Sequence, residues 1–270
     1  MSTTKILYKT KKWDKDVQER IKMKSSELRF KNIEYDIMHY KEPESSPYLS
    51  IKDEATLYHL LGNNYFLIAD GFYIDDNDIT NFIKHIYIFI LAVLRSYELE
   101  ESGVEITNSA IKRAHEQQRD IEKIIFSATA IGKIELFEKY GTNTGCEIIK
   151  AMYHEDYETA QNLVNQLPET AEIYEKEKYW ASYCYESKYL KALYQSILSK
   201  DEKAFNKALA DRIKFIRKGY VMPVDVVSVT MIKFARKLGL DYNFDVIEIP
   251  KALLEDLSDV PFDEYKLPIV

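Results

Sequence analysis

The sequence is short of glycine, proline and cysteine: eight, seven and two among 270 residues. Sheet proteins spend Gly and Pro on tight turns, and helix interiors tolerate neither, so their scarcity points to helices. Eight scattered glycines exclude a phosphate-cradling loop. Two cysteines, Cys146 and Cys184, exclude a disulfide framework and fit a reducing compartment. The N-terminus, "MSTTKILYKTKKWDKD", lacks the apolar core and cleavage site of a signal peptide. The most apolar run, "FIKHIYIFILAVL" (82–94), contains Lys84 and His85, is too short to cross a bilayer, and reads as a buried core helix. These absences predict a cytoplasmic protein without a membrane partner.

Catalytic signatures are missing too. A helical metalloprotease needs two histidines one turn apart around a glutamate. "HEQQR" supplies His115 and Glu116 but places Arg119 at the second ligand position, so the stretch reads as an exposed polar helix face. The helical ribonucleases of bacterial defence systems place His five positions after Arg, and no Arg here has that neighbour. His39, His59, His85 and His154 are scattered, and Cys146 in "TNTGCE" has no assigned base, so it reads as a buried structural thiol. No catalytic residue, cofactor or metal ligand is assigned.

What is present is charge and tyrosine. Apolar residues are 46% and charged residues 30%, as in folded soluble proteins. Net charge is −7 and uneven. Residues 1–31 hold ten Lys/Arg against four Asp/Glu; residues 241–270 hold eight acids and two lysines. An acidic body repels phosphate, which argues against nucleic acid. It serves either solubility or a basic protein partner. Three acid runs stand out: Asp75, Asp76 and Asp78; Glu98, Glu100 and Glu101; Asp256, Asp259, Asp263 and Glu264. None has calcium-loop spacing. The chain's 21 tyrosines concentrate in "YEKEKYWASYCYESKYLKALY" (174–194), whose rings fall on two helix faces. Such a helix packs on both sides, or packs on one and offers the other to a partner.

Helical periodicity runs through most of the chain. It predicts helices at 13–40, from Ser50 to about Asp70, at 79–100 capped by Asp78, and at 109–131 with Gly132 past the end. Shorter, paired helices follow at 146–153, 156–167, 170–199, 202–218 and 223–238. In the last, Pro223 sits in the first turn and Gly239 stops the helix. "MYHEDYETAQNLV" (152–164) echoes "ILSKDEKAFNKAL" (197–209) at an offset of 45, a period within the range of helical-repeat arrays. The expectation is an all-α fold of stacked antiparallel helix pairs, helical-repeat-like in its C-terminal half. It forms one domain over 1–270, with a possible seam near 141–145.

The order "KAMYHEDYETAQNLV", an aromatic helix, "YQSILSKDEKAFNKALADRIKFIRK" and "MPVDVVSVTMIKFARKLGLDYNFDVIEIPKALLE" resembles the bacterial polymorphic-toxin immunity proteins, in particular the helical family numbered forty-nine. The resemblance covers roughly 125–255 and includes Gly239-Leu240, the extended segment 241–249, and Pro250 through Leu254. It implies a non-catalytic protein that binds a secreted toxin encoded by the adjacent gene; the partner is expected to be basic and the protein a monomer or weak dimer. The alternative is a helical-repeat interaction module of a regulatory system. Candidate toxin contacts are Asp75, Asp76 and Asp78; Tyr179, Tyr183 and Glu186; and Asp256 and Asp259.

Overall fold

The computed structural model describes residues 26–42, 51–116, 119–167, 181–219 and 224–267. Among them there are ten α-helices and no strand, with helix pairs packed on one another: the fold is all-α. The chain divides into two compact units. Among described residues, the first unit holds 26–140 and 255–267, and the second holds 141–254.

In the first unit α1 is Ser26–Lys41, α2 Glu54–Gly71, α3 Ile79–Glu101, α4 Ser109–Glu116 and α5 Arg119–Ala130. The α2–α3 hairpin is its centre; α1 lies on α2, and α5 on α3. Asp53 caps α2, accepting from Thr56 N at 2.6 Å. The cap is thus Asp53 itself; Ser50 lies outside the described residues. α2 does not stop at Gly71 but runs into a π-turn, Phe72–Asp76, which ends on Asn77 in the left-handed region (φ 50°). Asp78 then caps α3, accepting from Asn81 N at 3.0 Å. The apolar run 82–94 is the middle of this 23-residue helix, so α3 has the length and composition of a membrane span. Yet 67% of its most apolar window is buried within the protein, because Phe82, Ile86, Phe89, Ile90 and Val93 face neighbouring helices.

In the second unit α6 is Thr144–Tyr153, α7 Tyr157–Gln166, α8 Ala181–Leu198, α9 Glu202–Gly219 and α10 Val226–Lys237. α6 pairs with α7 and α8 with α9; α8 also meets α7 and α10. The two hairpin turns are built alike, 45 positions apart. Glu155 (φ 64°) and Lys200 (φ 55°) take the left-handed stop. Asp156 N and Asp201 N each bond at 2.9 Å to the carbonyl five residues back, on Ala151 and Ser196. The same aspartates then cap the next helix, accepting from Thr159 N (3.1 Å) and Ala204 N (2.9 Å). Ala160 and Val164 in one copy, and Phe205 and Leu209 in the other, are fully buried.

α10 begins at Val226, with Asp225 at its N-cap, rather than at Pro223, which lies outside the described residues. The Asp225 carboxylate does not cap the backbone because it is already engaged. Arg212 donates to both its oxygens, from Nε and Nη2 at 2.8 Å each, and Ser228 Oγ donates as well. Gly239 (φ 81°) closes α10 in the left-handed region, as its position in the sequence predicts.

Candidate functional site

The first unit carries two of the acid-rich segments. Asp76 is exposed, just before α3, and Asp78 is half-exposed at its cap. The two Asn81 hydrogen bonds hold the Asp78 carboxyl below its ordinary range. The side chain of Asp75 lies outside the described residues. At the other end of the chain, residues 255–267 contain five acids and one lysine. Phe262, 4% exposed, anchors this segment by its ring, 5.0 Å from that of Tyr87 on α3. Tyr265 adds a second ring at 6.3 Å from Tyr87, and Lys84 and Lys133 lie over Tyr265 and Phe262 at 5.7 and 5.1 Å. Asp256, Asp259, Asp263 and Glu264 are all exposed. Asp256 also accepts from Ser258 N at 2.9 Å, shaping the turn. Burial, then the Asp263 and Glu135 charges, push the Tyr87 phenol above its ordinary value. Tyr87 is nine residues beyond Asp78, or about 13 Å along the helix axis. Segments nearly 180 positions apart in the sequence therefore meet α3: Asp76 and Asp78 precede it, and the segment that carries Asp263 is anchored at Tyr87.

The remaining acid run is paired within the unit, although Glu98 and Glu101 are exposed. Glu98 pairs with Arg95 at 3.6 Å, and Glu101 with Lys139 and with Tyr140 Oη at 3.2 Å. Glu100 Oε2 accepts from His115 Nδ1 at 2.7 Å. His115 is therefore not part of an exposed polar face: it shares an inward face of α4 with Ile111, one turn earlier, and is buried. Its Nε2 lies 3.3 Å from both Ser96 Oγ and His59 Nδ1, and its ring stacks on Tyr97 at 4.0 Å and 5°. Neither contact is legible in the sequence, since His59 and His115 are 56 positions apart; the Ile111–His115 spacing is the one signal of burial.

Ser96, His115 and Glu100 have the order of a nucleophile, a base and its orienting carboxylate. The arrangement does not support that chemistry. The Ser96 hydroxyl donates to Ala55 O at 2.7 Å, across to α2, which commits its proton. Ser96 is wholly buried in mid-helix, where the backbone N–H groups that could hold an oxyanion are used by the helix itself. The cluster works as a polar tie among α2, α3 and α4. Asp53 makes a second tie nearby: its Oδ2 accepts from Thr107 N (2.9 Å) and Oγ1 (2.6 Å) in the loop before α4.

In the second unit Tyr183 and Glu186 lie on α8, with side chains outside the described residues, and Tyr179 lies outside them altogether. The third candidate cluster is thus on a different unit from the other two. Further along α8 a groove of about 600 Å³ opens between α7, α8 and α9. Gln161, Tyr189, Ala192, Gln195, Ala204 and Lys207 line it, with Lys207 paired to Asp211 at 3.0 Å. Cys146, at the start of α6, is fully buried, in keeping with a structural thiol. No group of three or more metal-binding side chains converges among the described residues.

No family model, no curated protein and no solved structure matches this chain.

Proposed function

We propose that this protein is an immunity protein: it binds and neutralises a cognate toxin effector domain in the cytoplasm, with no catalysis of its own. One observation carries this reading. Two acid-rich segments from distant parts of the chain sit on one unit, held by a helix cap at one end and an aromatic anchor at the other, with Asp76, Asp256, Asp259, Asp263 and Glu264 left in solvent. Exposed carboxylates on a rigid base attract a basic partner and speed its capture, and fast capture matters against a partner that acts catalytically. The partner is a basic effector domain encoded by the adjacent gene, met by a monomer or weak dimer.

Co-expression tests this directly. The adjacent gene product should be harmful alone and harmless with this protein, and the two should co-purify one to one. Equal toxicity with and without the protein would sink the proposal.

The groove between α7, α8 and α9 favours a second reading, a helical-repeat module that holds a partner segment. A bulky substitution at exposed Ala192 distinguishes the two. It should abolish partner binding in the second reading and leave toxin neutralisation intact in the first.

A further inference from the structure

Helix α1 turns apolar side chains outward. Among the described residues, the large apolar side chains left exposed are Phe30, Tyr35 and Met38, at 37, 44 and 42%, and all three lie on α1. The inner side of the helix is engaged with its own unit. Ile33 and His39 are buried, and Asp36 Oδ2 accepts from Asn64 Nδ2 on α2 at 2.9 Å. Phe30 also belongs to the body of the unit, since its ring meets those of Phe72 and His85 at 6.4 and 5.8 Å. Tyr35 and Met38 are left one turn apart on the outer side.

Exposed Lys31 and Glu42 flank them. Glu42 N donates to Met38 O at 2.8 Å, so the helical spiral reaches Glu42. Positions 31, 35, 38 and 42 are spaced by four, three and four residues. At about 100° per residue they fall within roughly 60° of arc, the narrow seam along which two helices pair. The spacing reads the same in both directions. A second copy, laid antiparallel across a two-fold axis, sets Tyr35 against its Met38 and Lys31 against its Glu42, and the reverse. Exposed Glu34 and Lys41, on one flank of the seam, likewise come opposite each other. A parallel copy would set Lys31 on Lys31 and Glu42 on Glu42, so the charges select the antiparallel arrangement. A thioether against a ring is a favourable contact, and buried His39 holds the Tyr35 ring edge-on at 3.9 Å.

We propose that the outer face of α1 is a self-association surface whose partner is the same face of a second copy of this chain, antiparallel to it. The whole chain carries a net charge of −7, so copies repel one another in general. The α1 face balances Lys31 and Lys41 against Glu34 and Glu42 and escapes that repulsion. A neutral face gives a basic effector no electrostatic gain, whereas it matches itself charge for charge. A contact confined to one 16-residue helix is smaller than the roughly 1,200–2,000 Å² that stable interfaces bury. The dimer is therefore weak, with a dissociation constant on the order of 100 μM.

Sedimentation velocity of the full chain, from about 5 to about 500 μM, tests this. The average mass should climb from monomer towards dimer. Lys31→Glu turns both Lys31–Glu42 cross-pairs repulsive and should weaken association about tenfold; Glu42→Lys should do the same. Mixed together, the two variants should associate at least as well as the parent, because every cross-pair is again of opposite sign. That recovery also shows that neither variant has lost its fold. A parent chain that stays monomeric throughout overturns the proposal, whether the effector or another segment of the chain covers the face. So does a dimer indifferent to both single variants, or a mixture that fails to recover association. No effector enters the experiment, so its outcome is independent of the co-expression test.

Discussion

The two units bury polar groups in opposite ways. The second, residues 141–254, centres the burden on buried charge: Arg212 and Asp225, with side chains only 2% and 4% exposed, join α9 to the start of α10, Ser228 bonds the same carboxylate, and Glu248 is fully buried in the same unit. The first spreads it over shared hydrogen bonds: Asp53 with Thr56 and Thr107, and His115 with Glu100, Ser96 and His59. A buried charged pair leaves one charge stranded when its partner is removed. A distributed network loses one link at a time. The comparison teaches where each unit is brittle, and it can be broken from either side.

The largest expected effect is in the second unit. Arg212→Met leaves the Asp225 carboxylate buried without its bidentate partner, and should lower stability by about 3–5 kcal/mol. Arg212→Met combined with Asp225→Asn should recover part of that loss, because the stranded charge is gone. Chemical denaturation of the single and double variants measures both. A single variant within about 1 kcal/mol of the parent would contradict the ion-pair account.

Next is the α2–α3 contact in the first unit. A Cβ placed on Gly62 would lie 2.5 Å from Val93 Cγ2. The side chain of Val93 is β-branched and has little freedom to turn aside. Gly62→Ala should therefore cost about 1–3 kcal/mol, and adding Val93→Ala should restore much of it. Failure of the second change to rescue the first would show that the helices part instead of repacking. A smaller loss, about 1–2 kcal/mol, is expected for His115→Phe. The phenyl ring keeps the stack on Tyr97, and Ser96 keeps its bond to Ala55 O, while the links to Glu100, Ser96 and His59 are lost. A loss as large as that of Arg212→Met would mean that the network is not distributed.

Local signals carried the helices well, because helix ends are written in short range. Asp78 before an apolar run, Gly132 and Gly239 after one, and the Asp156/Asp201 echo each needed only neighbouring residues to interpret, and all four take the expected conformation. Long-range polar partners were not legible. Asp225 looks like an ordinary cap until α9 brings Arg212 against it. His115 looks exposed beside Glu116 and Arg119 until α4 turns it toward Tyr97. The acidic segments could be seen as charge runs. Their placement on one unit depends on Phe262 meeting Tyr87, a pairing of two aromatics among 33 Phe and Tyr that no periodicity selects.

The smallest effect on stability is expected where the proposed function predicts the largest effect on binding. Asp256→Lys with Asp259→Lys alters two exposed side chains on the first unit. Asp259 has no structural hydrogen bond in the turn as described, whereas Asp256 also accepts from Ser258 N, so Asp259→Lys alone is the cleaner variant. Each should change stability by no more than about 0.5 kcal/mol. If a basic effector approaches this face, reversal should lower its association rate several-fold at low salt, and the difference should shrink as salt screens the charges. Dissociation should change little, because long-range attraction acts mainly before contact. The same reversal at Asp76, also exposed and on the same unit, should act in the same direction. Half-exposed Asp211 on the second unit is already paired with Lys207, and its reversal serves as the control. Equal slowing from both units would assign the effect to net charge alone. Slowing confined to Asp76, Asp256 and Asp259 would locate the encounter on the first unit.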